Sequence, residues 1–215
     1  MGSAGQRDKQ QWRTELLARR QARTPRVRTA EAAALADSVT AVFDAFPEVA
    51  GEWVAAYVPA GDEPGSLAFP DALRAAGARV LVPVTGPPGP LDWAEYTGES
   101  SLRKARYGLL EPDGPRLGPA AIGWPRVVLV PALAVDRRGV RLGRGAGYYD
   151  RSLPAARPDA RLVAVVRDEE VVDALPEQPH DRRMGWALRP TGGLCALGGE
   201  RPAAEAGEDR ESALD

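Results

Sequence analysis

Four short apolar segments constrain most strongly how this chain can fold. They cover residues 53–58, 80–84, 127–130 and 162–166, and none shows the strict apolar–polar alternation of a half-exposed strand. Strands that are apolar on both sides are typical of a parallel sheet covered by helices on each face. The sequence therefore predicts an α/β fold, a three-layer α/β/α sandwich with a mostly parallel, Rossmann-like central sheet.

Apolar residues at helical spacing predict two amphipathic helices before the first strand and a third over residues 69–76. The first two helices are indicated by Trp12, Leu16 and Leu17, and by Leu35, Val39, Val42, Phe43 and Phe46. Residues 91–125 are rich in glycine and proline, and we expect mostly irregular chain with a short hairpin at best. We also expect a short helix over residues 148–153, a helix capped by Asp168 and an edge strand over residues 185–188.

Composition limits the kind of protein. The 215 residues, 44% of them hydrophobic, suit one domain over residues 1–194, followed by an acidic tail over residues 195–215 that we expect to be disordered. A net charge of −2 disfavours nucleic acid as a partner. The single cysteine excludes an internal disulfide, and no segment approaches the roughly 20 apolar residues that cross a bilayer. The polar N-terminus lacks a secretory signal, so we expect a cytoplasmic protein, and a monomer.

A glycine- and arginine-rich run over residues 139–151 follows the apolar segment 127–130, with residues 131–138 between them. Its glycines allow backbone N–H groups to approach a ligand, and its arginines offer bidentate contacts to phosphate. The run matches neither a dinucleotide fingerprint, which needs glycine where Tyr148 stands, nor a P-loop. A phosphate site at the carboxyl end of a sheet strand is also where open α/β sheets bind ligands.

Each candidate residue has an ordinary structural alternative. A tight turn by itself would explain the run, and capping a helix or pairing with an arginine would explain Asp150 without magnesium. Surface solvation explains Glu63 as well as ligand binding does, and the lone His180 suits a surface turn. Tyr107, Tyr148, Tyr149 and Trp93 suit either a core or a flat heterocycle. We assign Cys195 no catalysis.

Several motifs in order resemble the 5-formyltetrahydrofolate cyclo-ligase family. The resemblance extends from Lys9 to Leu188 and rests on Gly143–Arg151, Val128–Asp136 and Tyr107–Pro112, with Lys9 and Arg13 before them and His180-Asp181 after them. Departures include Ala146 at a loop position often taken by glycine or lysine, and an eroded segment around residues 185–188. The latter bears on how Asp181 is positioned, because flanking groups orient metal ligands.

The resemblance implies cyclisation of 5-formyltetrahydrofolate to 5,10-methenyltetrahydrofolate with ATP and Mg²⁺, through a phosphorylated formyl (imidate phosphate) intermediate. Arg144 and Tyr149 would be catalytic, and Asp150 and Asp181 would hold magnesium. ATP would be bound by Lys9, Arg13, Arg141, Leu142, Gly143, Arg144, Gly145, Ala146, Gly147, Tyr148 and Tyr149. The folate would be bound by Val58, Glu63, Tyr107, Arg144 and Tyr148. Two alternatives stay open: a relative that phosphorylates another amide-like substrate, and a non-catalytic nucleotide- or folate-binding protein.

Overall fold

A computed structural model describes residues 7–105, 108–179 and 181–198. Its helices are α1 (Lys9–Gln21), α2 (Pro25–Asp37), α3 (Val39–Ala45), α4 (Ala68–Ala75) and α5 (Tyr148–Ser152). Its strands are β1 (Trp53–Ala55), β2 (Arg79–Val84), β3 (Asp92–Tyr96), β4 (Leu102–Lys104), β5 (Leu110–Pro112), β6 (Val127–Pro131), β7 (Ala134–Asp136), β8 (Arg141–Leu142), β9 (Arg161–Val165), β10 (Val171–Val172), β11 (Trp186–Arg189) and β12 (Gly193–Ala196).

The central sheet has the strand order β12-β11-β9-β6-β1-β2-β3 within the described residues. The five inner strands, from β11 to β2, are parallel, and the outer pairs β11–β12 and β2–β3 are antiparallel. Neighbouring residues of an inner strand point to opposite faces, yet both faces are buried: Val54 packs in one core cluster and Ala55 in another. This double burial explains the missing alternation, and the predicted α/β class is confirmed.

Helices cover both faces of this sheet. One face packs against α2, α3 and α4 through Leu35, Val42, Phe69 and Leu73. The other face packs against α5 and short 3₁₀ turns, which contribute Ile122. The predicted three-layer arrangement follows from these two clusters.

A second, three-stranded sheet, β10-β7-β8, projects beside the central one and packs on α1. Leu16 of α1 lies against Leu133, Val140 and Leu142 in a separate apolar cluster. Helix α1 begins with a capping box, in which Asp8 accepts a hydrogen bond from the Gln11 backbone and the Gln11 side chain accepts one from the Asp8 backbone. The small sheet and α1 together hold the glycine- and arginine-rich run.

Several local predictions were wrong. Residues 92–96 form β3, where irregular chain was expected, because pairing with β2 supplies long-range hydrogen bonds that no local pattern announces. The expected short hairpin is present as β4–β5. Ser38 divides the second predicted helix into α2 and α3.

Two predicted elements near the end of the chain also need correction. After Asp168 only one 3₁₀ turn forms, because the chain then pairs with β7 as β10. Strand β11 is not an edge, since β12 pairs with its outer side. The predicted domain boundary between residues 194 and 195 falls inside β12, whereas residues 199–215 lie outside the described residues.

None of the described helices is both long enough and apolar enough to cross a lipid bilayer.

Candidate active site

A cavity of about 490 Å³ opens where the inner strands β1, β2 and β6 end. Chain segments that follow these strands form its walls, and the start of α1 and residues 141–150 complete it. Every residue to which the resemblance assigns a role, and which the structure describes, lines this cavity, whereas the candidate Trp93 is buried in the core. Tyr107 and His180 lie outside the described residues. The ligand-binding edge expected for an open α/β sheet is therefore the edge that carries the predicted residues.

One wall is the glycine loop, residues 143–147, between β8 and α5. Gly145 and Gly147 adopt φ values of 106° and 71°, a region that side chains other than glycine rarely enter. Arg13 approaches from α1, and its Nε donates to the Gly143 carbonyl at 3.0 Å. The two glycines thus shape the backbone of the loop, and the Arg13 guanidinium lies against it. A glycine-rich backbone beside a cation suits an anion.

The three arginines of this segment differ in role. Arg141 is nearly buried and pairs with Asp150 at 2.5 Å. Arg144 reaches across the cavity to Asp62 and lies 3.6 Å from Glu63. Arg151 does not line the cavity; it donates to the carbonyls of Gly89 and Ala146 and braces the loop from behind.

The opposite wall contains an acidic loop, residues 60–63, just beyond β1. Burial raises the pKa of the Glu63 carboxyl above its ordinary value of 4.5, against smaller opposing effects of the Ala60 N–H and of Arg20. The Ala60 N–H donates to Glu63 Oε2 at 3.1 Å, which aims the carboxylate. Tyr57 donates to the Pro64 carbonyl at 2.7 Å and closes the loop. A desolvated acid on a fixed loop is typical of a ligand-recognition site.

Lys9, in the first turn of α1, and Asp181 form an ion pair in the cavity wall. The Lys9 Nζ lies 2.8 Å from Asp181 Oδ2 and 3.2 Å from Gln178 Oε1. Asp181 Oδ2 also accepts from the Gln178 N–H at 2.7 Å. These contacts join the start of α1 to the segment after β10, although the two are distant in sequence.

The predicted magnesium ligands Asp150 and Asp181 line one cavity, and each contacts a cationic side chain. The described residues contain no group of three or more histidine, cysteine or acidic side chains that would by itself hold a metal. A magnesium ion here would need phosphate and water oxygens besides these carboxylates.

Two tyrosines at the start of α5 face the cavity. Tyr148 donates to the Gly86 carbonyl at 3.0 Å. The Tyr149 hydroxyl is buried without a hydrogen-bond partner, and burial, then the nearby Glu63, raise its pKa well above the ordinary range. An unsatisfied buried hydroxyl in a cavity wall is a group that a ligand would satisfy.

Sequence reasoning missed two polar groups of the wall. The Glu111 carboxylate is buried and accepts from the Thr85 N–H at 2.8 Å, and both residues line the cavity. Thr85 directly follows β2, so its position at the carboxyl end of a parallel strand was the available signal. Glu111 was visible only as part of the segment 107–112, because nothing local shows that β5 packs beside β2.

Sequence comparison gives one consistent result. A profile described as the 5-formyltetrahydrofolate cyclo-ligase family matches residues 5–190. A 5-formyltetrahydrofolate cyclo-ligase of Mycolicibacterium smegmatis is 47% identical over 196 residues, which cover 89% of this chain and 98% of that protein. One from Escherichia coli is 29% identical over 148 residues, 67% of this chain and 81% of that protein.

Structure comparison agrees on the fold. The 5,10-methenyltetrahydrofolate synthetase of Aquifex aeolicus superposes with a TM-score of 0.67 at 23% identity, covering 94% of this chain and 98% of that one. That of Mycoplasma pneumoniae gives 0.65 at 18% identity, covering 84% and 98%. With the profile match over most of the chain, these findings show that the protein belongs to the 5-formyltetrahydrofolate cyclo-ligase family.

Proposed function

We propose that this protein converts 5-formyltetrahydrofolate to 5,10-methenyltetrahydrofolate with consumption of ATP, in the presence of Mg²⁺, and release of ADP and phosphate. The observation that carries the proposal is one cavity with two chemically opposite walls. The glycine loop with its cations suits a polyphosphate, and the half-buried Glu63 opposite suits the N–H edge of a pterin. Membership of the family supports the same reaction.

The residues fit the nucleotide. Lys9, Arg13 and Arg141 place three positive charges along the wall that contains the glycine loop. The positive φ values at Gly145 and Gly147 turn the backbone so that phosphate can approach it closely. ATP would supply the phosphoryl group that makes the formyl oxygen a leaving group. Positioning and charge neutralisation are what this chain must provide for such a transfer.

The fit to magnesium differs between the two predicted ligands. Asp150 is 38% exposed beside the glycine loop and suits a metal that also binds phosphate. Asp181 is only 7% exposed and accepts from Lys9 and Gln178, so metal binding would require it to exchange these partners. Bound there, magnesium would neutralise charge on the phosphates. We propose Asp150 as the principal ligand, and the role of Asp181 stays a prediction.

The remaining residues would hold and orient the folate. Glu63, with Val58 in the segment that follows β1, lies where the pterin would enter, and Tyr148 borders it. Arg144 would leave its partners Asp62 and Glu63 to contact the formyl oxygen, which becomes phosphorylated. The Tyr149 hydroxyl, buried and unpaired, would donate to the same end of the substrate. N10 would then attack the formyl carbon and lose its proton, and the carbon–oxygen bond would break so that phosphate departs with the former formyl oxygen.

A spectrophotometric assay tests the proposal directly. Purified protein is mixed with 5-formyltetrahydrofolate, ATP and Mg²⁺, and near-ultraviolet absorbance is followed, because the methenyl product has a conjugated chromophore that the substrate lacks. We expect a rise that requires both ATP and Mg²⁺. No rise from protein that still binds ATP would favour a relative acting on another amide-like substrate.

The expectations of a monomer and of a cytoplasmic location stay predictions.

A further inference from the structure

A chain of buried ionic contacts lies beneath the acidic wall of the cavity. Arg20 of α1 donates from Nε and Nη2 to the two carboxylate oxygens of Glu170, both at 2.7 Å. Glu170 Oε2 also accepts from the Arg167 N–H at 2.8 Å. The Arg167 Nε donates to Glu31 Oε2 of α2 at 2.8 Å. We call these four residues, Arg20, Glu170, Arg167 and Glu31, the buried ion chain.

One hydrogen bond joins the buried ion chain to the acidic wall of the cavity. Arg167 Nη1 donates to the Asp62 carbonyl at 3.1 Å. Asp62 precedes Glu63, and its own side chain pairs with Arg144. At the other end of the buried ion chain, Arg20 belongs to α1, the helix from which Lys9 and Arg13 line the cavity. The contacts therefore connect the proposed folate wall with the proposed nucleotide wall.

Stability alone does not account for such an arrangement. Arg20, Arg167 and Glu170 are each no more than 2% exposed. Replacing a buried ion pair by apolar side chains is often neutral or stabilising, because desolvation offsets the attraction. The planar guanidinium of Arg167 instead fixes the relative position of two segments. Its Nε donates to α2 while its Nη1 donates to the acidic loop.

We propose that Arg167 is a positioning residue: it holds the loop of residues 60–63 so that the Glu63 carboxylate faces the folate. The inference rests on the proposed function for the identity of the ligand. The nearby charges act in the same direction, since Arg20 opposes the rise in the pKa of Glu63, and both Arg20 and Arg167 oppose that of Tyr57. Arg20 of the buried ion chain thus partly offsets the effect of burial on the pKa of Glu63.

A double-mutant cycle on folate affinity tests this positioning. Binding of 5-formyltetrahydrofolate without ATP is measured calorimetrically for wild type, Arg167→Lys, Glu63→Gln and the double variant. Lysine keeps the charge but loses the fork, so we expect about tenfold weaker folate binding from Arg167→Lys, near 1.4 kcal/mol. In the Glu63→Gln background the same change should have less than about a twofold effect, because its target is gone. Affinity for ATP should change less than about twofold in all variants.

Arg79→Lys is the matched control. Arg79 makes two hydrogen bonds through its fork, both to the Glu95 carboxylate, but on an exposed surface at the start of β2, and its conversion should alter neither affinity. If Arg167→Lys fails to fold, Glu31→Gln takes its place, because it removes the charge that pairs with the Arg167 Nε at a residue that is 20% exposed. This variant should also bind folate more weakly than wild type. An equal loss in both backgrounds, or a parallel loss of ATP binding, overturns the proposal.

Amide hydrogen exchange separates this inference from the proposed function. Arg167→Lys should speed exchange at residues 60–63 and leave exchange in α5 unchanged. Arg79→Lys should change exchange in neither segment. If wild type neither binds nor converts 5-formyltetrahydrofolate, the proposed function fails, and the exchange result still judges the loop. Unchanged exchange at residues 60–63 overturns the positioning role whatever the ligand.

Discussion

At the scale of single residues, the site is a set of charges held by specific partners. Asp150, for example, contacts Arg141 at 2.5 Å while it borders the glycine loop. A carboxylate in this position serves two demands, since it orients an arginine in the free protein and is available to a cation that arrives with phosphate. Substitutions at such residues should therefore change chemistry more than stability.

Asp150→Asn should lower kcat by at least about 100-fold, because an amide is a poor magnesium ligand and neutralises one partner of Arg141. Folate binding should weaken only modestly. Turnover measured against Mg²⁺ concentration, with folate affinity measured separately, checks both. Asp173→Asn, which alters an exposed acid paired with Arg137, is the control. Unchanged turnover in Asp150→Asn would remove the magnesium assignment.

Glu63 should make folding depend on pH. Burial raises the pKa of the Glu63 carboxyl in the folded protein above its ordinary value of 4.5. At a pH between the unfolded-state and folded-state pKa values, the native state therefore binds more protons than the unfolded state. The free energy of unfolding accordingly falls as pH rises through this range. Glu63→Gln removes this penalty. Thermal unfolding of the ligand-free proteins, from about pH 4 to about pH 7, should show the variant gaining on wild type as pH increases. A difference that stays constant or shrinks would contradict the burial of an acid here.

At the scale of elements, the hairpin β7–β8 determines where the glycine loop lies. Asp136, fully buried, accepts from the N–H groups of Arg138, Val140 and Leu175 and so locks the hairpin turn to the segment after β10. Gly139 in that turn has a φ of 89°, and an added Cβ would lie 2.2 Å from the Met184 carbonyl. The turn can dock against the chain before β11 only without a side chain.

Gly139→Ala should therefore cost more than backbone strain alone, about 2–4 kcal/mol of unfolding free energy. Gly118→Ala provides the comparison, because Gly118 has a similar φ of 80° but open space around its Cβ position. We expect about 1–2 kcal/mol there, from the strained backbone alone. Urea denaturation of both variants gives the two values. Equal losses would mean that the close approach to Met184 contributes nothing.

At the scale of the whole molecule, the central sheet ends at β12, beyond the predicted domain boundary. Leu197, after this strand, is 5% exposed and packs in the cluster that also contains Ala187 of β11. The backbone of β12 satisfies the outer hydrogen bonds of β11. Residues 193–198 therefore belong to the folded unit.

Truncation tests that boundary. A chain ending at Gly198 should match the full protein in stability, whereas one ending at Thr191 should lose at least about 2 kcal/mol, since it gives up the burial of Leu197 and the pairing of β12. Chemical denaturation of the two truncated chains makes the comparison. Equal stability would restore the boundary to the position predicted from the sequence.

The sequence alone determined the α/β class, the inner strands β1, β2, β6 and β9, and the glycines of the loop, whereas the β7–β8 hairpin decided where that loop lies. These features depend on local apolar runs and on glycines, which act through neighbours in the chain. Tertiary structure alone decided that β3 pairs with β2, that Lys9 contacts Asp181, and that Arg167 contacts Asp62. Such partners are separated by many residues, and an ionic side chain carries no local sign of which opposite charge the fold will bring to it.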